Sequence, residues 1–171
     1  METGQPRHHG SALVDVDAFD LLSDDHRLVR EYFQHIETIS QTATAADRHR
    51  KPDLIKQLCD ELDIHAQIEE EIFYPAVRAA FKETDDALIA EAVHEHGEAK
   101  AIIAELRALA PDDDARADAL LARLREAVEH HVQEEEERMF TLARPQVDGM
   151  ALGRQLRLQK QSLQERMFGK C

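Results

Sequence analysis

The chain has 171 residues, of which 33% are charged and 5% aromatic with no Trp, and its formal net charge is −14 at pH 7. This length fits a single domain, and so acidic a chain is a poor partner for nucleic acid or an anionic membrane surface. Apolar stretches fall far short of a membrane span of about 20 residues, and the N-terminus lacks the apolar core of a secretory signal. Cys59 and Cys171 make no disulfide framework. We therefore expect a cytoplasmic protein.

A lead-in and two helices are predicted in the first half of the chain. Residues 1–17 contain Gly, Pro and Ser without an apolar period, and we expect a flexible N-terminal segment. Helix A is predicted over about residues 18–45, where apolar residues or histidine recur at helical spacing. Helix B is predicted over about 52–81: Pro52 suits a first helical turn, and Pro75 should kink or loosen the helix.

Two further long helices are predicted in the second half. Helix C has Thr84 as its expected N-cap and stops before Pro111. Helix D follows the acidic residues 112–114, which suit a helix N-terminus because they complement the helix dipole. It ends before Pro145.

A fifth, shorter helix is predicted over about residues 150–168. It differs from the rest in charge, because residues 150–170 contain five Lys or Arg and one acid. The predicted fold class is all-α, with an antiparallel up-down four-helix bundle over 18–145 and an additional C-terminal helix and tail over 146–171.

The chain contains an internal repeat of a helix pair. Helix A has Asp25-His26 and helix C has Glu95-His96, each followed by matching basic and apolar residues. Helices B and D share a second pattern, in which a histidine follows apolar residues three, seven and ten positions earlier and precedes a glutamate by four. The residues of this second pattern are His65 and Glu69 in helix B, and His131 and Glu135 in helix D.

The repeat places chemically active side chains on the buried face of each helix. Residues four apart in a helix share a face, so a histidine and a glutamate at this spacing reach a common point. A buried carboxylate without a partner costs on the order of several kcal/mol, but cations among the side chains would compensate it. Imidazole and carboxylate suit iron, manganese or zinc, and bundle cores hold paired metals. We therefore predict a metal site composed of His26, His65, Glu69, His96, His131 and Glu135.

Neighbouring histidines are predicted to lie outside this site. The register of the repeat favours His96 over His94 and His131 over His130. No supporting pattern surrounds the remaining histidines, which we expect on the surface: His8, His9, His35 and His49.

The carboxylate of helix D has an alternative. Glu135 has the four-residue spacing, but aligning Glu69 to Phe73 with Glu136 to Phe140 indicates a one-residue slip, which keeps Glu136 as a second candidate. The other acids near the two sites are predicted to be solvated or to support the ligands from outside: Glu70, Glu71, Glu134 and Glu137.

The order of these histidines and glutamates resembles a known family. Together with the segments HAQIEEEIFYP and HHVQEEEERMF, it is similar to the hemerythrin-like proteins, which contain the HHE cation-binding domain. The resemblance covers about residues 18–145. It implies a four-helix bundle with an oxo- or hydroxo-bridged di-iron centre, in which both carboxylates bridge the irons.

One departure from the family bears on function. Oxygen-carrying members have a fifth histidine four residues after the histidine of helix C, and this position is Lys100 here. The resemblance therefore implies more open coordination or another oxygen ligand, and it argues against reversible oxygen storage. Tyr32 and Tyr74 lie near the metal-facing stripes; packing is the default prediction for both, and a phenolate ligand is the alternative.

The leading functional hypothesis is an oxidoreductase that binds or processes O2 or peroxide, most concretely by catalase-like disproportionation of hydrogen peroxide. No catalytic residue outside the metal centre is predicted. The alternative is a sensor of oxygen, nitric oxide or iron without turnover, which meets a partner protein through the basic C-terminal helix. The default prediction for that helix is that it covers the acidic bundle. A ferritin-like iron oxidase is disfavoured because such bundles use Glu-x-x-His, and a zinc hydrolase because His-Glu-x-x-His is absent.

Overall fold

The computed structural model describes residues 15–42, 44, 49–81, 86–110 and 113–169. Over these residues the prediction of an all-helical protein is confirmed. The α-helices are α1 (Ala18–Thr42), α2 (Lys51–Ile68), α3 (Tyr74–Ala80), α4 (Asp86–Arg107), α5 (Asp114–Glu134), α6 (Phe140–Ala143) and α7 (Gly149–Phe168). The predicted features outside the described residues are most of the lead-in, the cap at Thr84, the break at Pro111, residue Asp112, His8, His9 and Cys171.

Two of the predicted long helices each contain one wide, π-helical turn. Residues Glu69–Phe73 join α2 to α3, and residues Glu135–Met139 join α5 to α6, without a break in the helix. The loosening predicted at Pro75 thus lies just before that residue. Proline is not its general cause, since the second wide turn has no proline within it or directly after it. Such turns insert one extra residue into a helix and are common at functional sites.

Local side chains define two of the helix starts. The Asp113 carboxylate accepts a hydrogen bond from the backbone N–H of Arg116 at the start of α5, at 3.3 Å. The Asp148 carboxylate accepts one from the N–H of Ala151 at the start of α7, at 2.9 Å. Each bond satisfies a backbone donor that would otherwise have no partner in the first helical turn.

The helices pack pairwise, with α1 against α2, α4 against α5, and α7 across both α1 and α2. Their apolar faces form two clusters. One includes Phe19, Leu22 and Phe73, and the other includes Val29 and Leu58. Each of α1, α2 and α4 passes from one cluster to the other, and α5 does so together with the wide turn and α6 that follow it. The predicted histidine of each helix lies near the point where the clusters meet. Within the described ranges, no helix is both long and apolar enough to cross a membrane.

Candidate metal centre

The structure brings the six predicted residues together in the interior. None of their side chains belongs to a residue more than 6% exposed. Their inward atoms form two groups that share a carboxylate, with all atoms of a group within 4.8 Å of one another. The first group is His26, His65, Glu69 and Glu135, and the second is Glu69, His96 and His131.

The distances in the first group suit the donors of one cation. The Nε2 atoms of His26 and His65 are 3.1 Å apart. Oε1 of Glu69 lies 3.1 Å from Nε2 of His65, and Oε2 of Glu135 lies 3.3 Å from Nε2 of His26. Two donor atoms about 2.1 Å from one cation and at right angles to each other are about 3 Å apart.

The second group has similar spacing and shares Glu69 with the first, while Glu135 approaches it from slightly farther away. The Nε2 atoms of His96 and His131 are 3.2 Å apart, and Oε2 of Glu69 lies 3.2 Å from His96 Nε2. Oε2 of Glu135 lies 3.8 Å from His131 Nε2. The two oxygens of Glu69 therefore face different histidine pairs, which is the arrangement expected of a carboxylate between two cations.

Every histidine of the centre turns its Nδ1 outward to an acid on another helical element. The acids are Glu136 for His26 (2.7 Å), Glu70 for His96 (2.9 Å), Glu95 for His131 (3.0 Å) and Asp25 for His65 (3.5 Å). An Nδ1–H that donates to a carboxylate fixes the tautomer and leaves the Nε2 lone pair facing inward. Carboxylate–imidazole pairs of this kind commonly support metal-bound histidines.

The interior of the centre fits a cation better than it fits an empty polar core. With both Nδ1–H groups directed outward, the lone pairs of His26 and His65 face each other at 3.1 Å and repel unless a positive charge lies between them. Oε1 of Glu69 and both carboxylate oxygens of Glu135 have no hydrogen-bond partner among the described residues. Buried carboxylate oxygens without donors require a cation or protons nearby.

The pKa values of the inner groups show the same demand for positive charge. Burial alone would lower the pKa of His65, but Glu69 and Asp25 outweigh it and hold that pKa well above its ordinary value. Burial alone would raise the pKa of Glu69, but His65 and His96 outweigh it and hold that pKa well below its ordinary value. Without a metal, protonated imidazole therefore compensates the buried carboxylate.

Tyr74 packs in the buried core, as the default prediction has it, and its hydroxyl also contacts the inner residues of the centre. Its hydroxyl donates to Oε2 of Glu69 at 3.3 Å and lies 3.4 Å from Nε2 of His96. Burial and the nearby carboxylates of Glu135 and Glu69 raise the pKa of this phenol well above its ordinary value. Tyr32, by contrast, donates to Gln57 at 3.4 Å on the exposed side of its helix.

The two wide turns show which glutamate of the second half corresponds to Glu69. The turn Glu69–Phe73 corresponds to Glu135–Met139, so the one-residue slip inferred from sequence is absent. Glu135 is 1% exposed and faces the inner atoms, whereas Glu136 binds His26 Nδ1 from outside. The geometry thus favours Glu135 as the inner carboxylate.

The remaining predicted surface residues stay outside the inner groups. His94 and His130 have side chains 78% and 63% exposed, and His35 and His49 are exposed as well. Lys100, at the position of the fifth histidine of oxygen carriers, donates to both carboxylate oxygens of Glu70 at 2.6 and 2.8 Å.

Sequence reasoning gave no supporting role to three of the four acids that support the histidines, and gave two of them, Asp25 and Glu95, no role at all. A signal for them is present in the repeat. An acid directly precedes the lone histidine of each half, as Asp25 and Glu95, and another directly follows the inner glutamate of each half, as Glu70 and Glu136. Only Glu70 was expected to be a supporting acid, while Glu136 was considered as a ligand.

A small cavity adjoins all four histidines. Its volume is about 30 Å³, and apolar side chains such as Val29, Leu62, Ile103 and Val128 form much of its wall. A site needs roughly 10–15 Å³ of such volume to hold one water molecule. The cavity therefore has room for a ligand of two oxygen atoms beside the inner groups.

Comparison with known proteins agrees with the geometry. A curated protein named DNA nickase, from Nostoc sp. (strain PCC 7120 / SAG 25.82 / UTEX 2576), is 27% identical over 135 residues, or 79% of this chain and 36% of that protein. The chain thus spans about a third of that relative's length. No solved structure matches the chain significantly. The model of the hemerythrin HHE cation binding domain matches residues 17–143. With three quarters of its length inside that match, the chain belongs to the hemerythrin HHE cation binding family.

Proposed function

We propose that this chain holds two iron ions, one in each group of inner donor atoms. The observation that carries the proposal is the position of Glu69, whose two oxygens face different histidine pairs at 3.1 and 3.2 Å. Glu135 also lies between the pairs, with the single oxygen Oε2 at 3.3 Å from His26 Nε2 and 3.8 Å from His131 Nε2. The donor set suits iron and does not distinguish it from manganese. The proposed ligands are His26, His65, Glu69, His96, His131 and Glu135.

The proposal includes the finer architecture predicted from sequence. Along α1 and α4 the chain runs from the cluster of Phe19 to the cluster of Val29. Along α2, and along α5 with the wide turn and α6 that follow it, the chain runs the other way. This alternation supports an antiparallel up-down four-helix bundle. The division into a lead-in (1–17), a metal-binding bundle (18–145) and a C-terminal helix with its tail (146–171) is part of the same proposal.

The proposed activity is chemistry of O2 or peroxide, most concretely disproportionation of hydrogen peroxide. Two molecules of peroxide then give one of dioxygen and two of water. A bound iron pair would supply Lewis acidity and a two-electron change. The protein contributes the apolar cavity beside the histidines, four imidazole rings fixed by their outer acids, and the Tyr74 hydroxyl, a hydrogen-bond donor 3.3 Å from Glu69.

A sensor of oxygen, nitric oxide or iron is the second candidate function. It is favoured by the position of α7, which lies beyond the residues matched by the family model and packs on the two helices that carry His26 and His65. A sensor would bind ligand without turnover and would transmit its state through this helix. Loss of partner binding on substitution of an exposed residue of α7, such as Leu158→Ser, with ligand binding intact, would support it.

We do not extend DNA nicking to this chain. The relative of that name is 27% identical, and this chain matches 36% of its length. The net charge of −14 also opposes close approach to a phosphate backbone.

The proposal is tested by iron content and peroxide turnover of the purified protein. We expect about two irons per chain, near-ultraviolet bands that respond to azide or peroxide, and release of oxygen from peroxide measured with an oxygen electrode. His96→Ala should lose iron and turnover, while His94→Ala, two residues away and 78% exposed, should keep both. A chain that takes up no iron, aerobically or as ferrous ion, would disprove the metal site. A fully loaded chain without turnover would favour the sensor.

A further inference from the structure

The C-terminal helix α7 is fixed closely to the helix pair that carries His26 and His65. Its buried residues include Leu152, Leu156 and Leu163, which pack into the cluster of Phe19. At Gly153 the two backbones touch, since a Cβ built there would lie 2.0 Å from the backbone oxygen of Val16. The orientation of α7 against α1 is therefore well defined.

One residue of α7 reaches the support of the metal centre. The Lys160 ammonium donates to Oδ1 of Asp25, and these two side chains are 17% and 10% exposed. The other oxygen of Asp25, Oδ2, faces Nδ1 of His65 at 3.5 Å. Within the described residues, neither Oδ2 of Asp25 nor Nδ1 of His65 makes a hydrogen bond, so each has the other as its polar neighbour at ion-pair distance. A line of contacts thus runs from α7 through Asp25 to the imidazole of His65.

The Asp25 carboxylate depends on this contact for its cationic partner. Its side chain is only 10% exposed, and the Lys160 ammonium binds its Oδ1. A buried carboxylate that loses its cationic partner is strongly unfavourable. Without Lys160, the Asp25 side chain would gain by turning towards water and away from His65.

A second lysine–acid–histidine arrangement, at His96, lies closer to solvent than the one at His65. Lys100 binds Glu70, which accepts from Nδ1 of His96 at 2.9 Å, but the side chains of Lys100 and Glu70 are 44% and 30% exposed. Water can therefore replace Lys100 with little cost. Water has poorer access to the pair of Lys160 and Asp25, so the lysine of α7 matters more.

We propose that Lys160 is a positioning residue of the metal centre, which holds the Asp25 carboxylate against His65 and so makes α7 a functional part of the site. The inference rests on the proposed metal site. It gives the C-terminal helix a specific role, because displacement of α7 withdraws the support of one histidine and leaves the other three histidines with theirs.

The test uses the full iron-loaded chain with Lys160→Met, Lys160→Arg and Asp25→Asn. Loss of a supporting partner of a metal-bound histidine typically costs about 10- to 100-fold in metal affinity. We expect Lys160→Met to lower iron affinity by about 10-fold and Lys160→Arg to restore it. Asp25→Asn should cost a similar factor, and the double variant should cost no more than either single one, because both act through one contact.

A matched control is available on the same helix. Arg154 pairs with Asp15 at 3.8 Å and, among the described residues, does not contact the centre, so Arg154→Met removes a cation from α7 without touching the support of His65. It should leave iron affinity unchanged. The second readout is the set of exchangeable histidine ring N–H signals in the ferrous protein, measured by NMR. Lys160→Met should move or broaden one signal, the one that Asp25→Asn also removes, and leave the others in place.

Each outcome decides between the two proposals. Wild-type iron affinity and unchanged ring signals in Lys160→Met would overturn the positioning role. An equal loss in Arg154→Met would do the same, because it would indicate general loosening of α7. Wild-type protein that binds no iron would instead contradict the proposed function. The positioning role could then still be tested, because the 15N shift of His65 Nδ1 in metal-free Lys160→Met reports whether Lys160 holds Asp25 in place.

Discussion

The hydroxyl of Tyr74 lies 3.3 Å from Oε2 of Glu69, five residues earlier in the chain. In a regular α-helix, residues five apart point in clearly different directions. Here the backbone N–H of Tyr74 donates to the carbonyl of Glu69, and this wider turn brings the two side chains to one face. The equivalent position after Glu135 is Phe140, whose ring stacks on His26 at 6.1 Å. The two halves of the centre therefore differ by one hydroxyl.

Tyr74→Phe removes that hydroxyl and keeps the ring that stacks on His96 at 5.7 Å. We expect the metal-free protein to lose about 1 kcal/mol of stability, the usual contribution of one hydrogen bond. The iron-loaded protein should keep its metal but change its visible spectrum, because the donor to a shared carboxylate is gone. Tyr32→Phe is the control, since the Tyr32 hydroxyl contacts Gln57 outside the site. Identical spectra for all three proteins would contradict a role for Tyr74.

Glu135 and Glu136 should respond differently to the same amide substitution. Glu135→Gln removes a charge from a side chain with both oxygens in the interior, and we expect loss of at least half of the bound iron. Glu136→Gln weakens the support of His26 Nδ1, where the distance is 2.7 Å, and should keep two irons with about 10-fold lower affinity. Metal analysis after dialysis measures both. The reverse order would assign the ligand role to Glu136.

The metal-free protein should have a narrow pH range of highest stability. The raised pKa of His65 gives stability that is complete below its ordinary value of 6.5 and is lost as the pH rises through the raised pKa. The lowered pKa of Glu69 gives stability that is present above its ordinary value of 4.5 and is lost as the pH falls through the lowered pKa. Urea unfolding should therefore show a maximum between these two values.

The iron-loaded protein supplies the comparison for that experiment. Metal replaces the protons on the imidazoles, so its stability should not fall in the same way above neutral pH. His94→Ala, which changes an exposed histidine, should leave the metal-free profile unchanged. Metal-free stability that rises steadily from pH 6 to 9 would show that protons do not compensate the buried carboxylates.

Cys59 should be almost unreactive in the folded protein. It is 1% exposed, and burial raises the pKa of its thiol to about 11. At pH 8 only about one molecule in a thousand then has a thiolate, which is the reactive form. In a Cys171→Ser background, alkylation by iodoacetamide followed by mass spectrometry should be at least about 100-fold slower than in urea. Similar rates in both conditions would mean that Cys59 is accessible.

Two glycines should respond to alanine with opposite signs. At Gly153 the new Cβ would meet the Val16 carbonyl at 2.0 Å, so Gly153→Ala should cost roughly 1–3 kcal/mol. At Gly97, inside α4, nothing lies within 4 Å of the added atom. Gly97→Ala should therefore stabilise the protein by roughly 0.5–1 kcal/mol, because alanine favours helix. Thermal unfolding compares the two, and equal effects would contradict the close contact at α7.

The helices and the six inner residues follow from the periodicity and the repeat, because a histidine on the apolar face of a helix must enter the interior. Tyr74 could not be placed in this way. Its position depends on the wide turn at Glu69–Phe73, and helical spacing counted at 3.6 residues per turn directs it elsewhere. The slip between Glu135 and Glu136 came instead from aligning Phe73 with Phe140, whereas the two wide turns pair Phe73 with Met139.

The contact between Lys160 and Asp25 was also beyond sequence reasoning. These residues are 135 positions apart, and α7 has no counterpart in the repeat that could indicate where it packs. Its basic charge predicted a helix that covers an acidic body or meets a partner, but charge alone does not select which acid is bound. The ligand roles of the six inner residues stay predictions until metal is measured.

The outer acids form a closed ring of contacts around the centre. An acid of α1 contacts the histidine of α2, and an acid of the turn after α2 contacts the histidine of α4. An acid of α4 contacts the histidine of α5, and an acid of the turn after α5 contacts the histidine of α1. Two of these four links join one half of the repeat to the other. A single hairpin would leave them unmade, whereas two identical hairpins related by a twofold axis would make all four. The two halves of the polypeptide thus contact each other as the subunits of a symmetric homodimer would. An ancestral protein with one such hairpin would have had to form a dimer to complete the same ring around a metal.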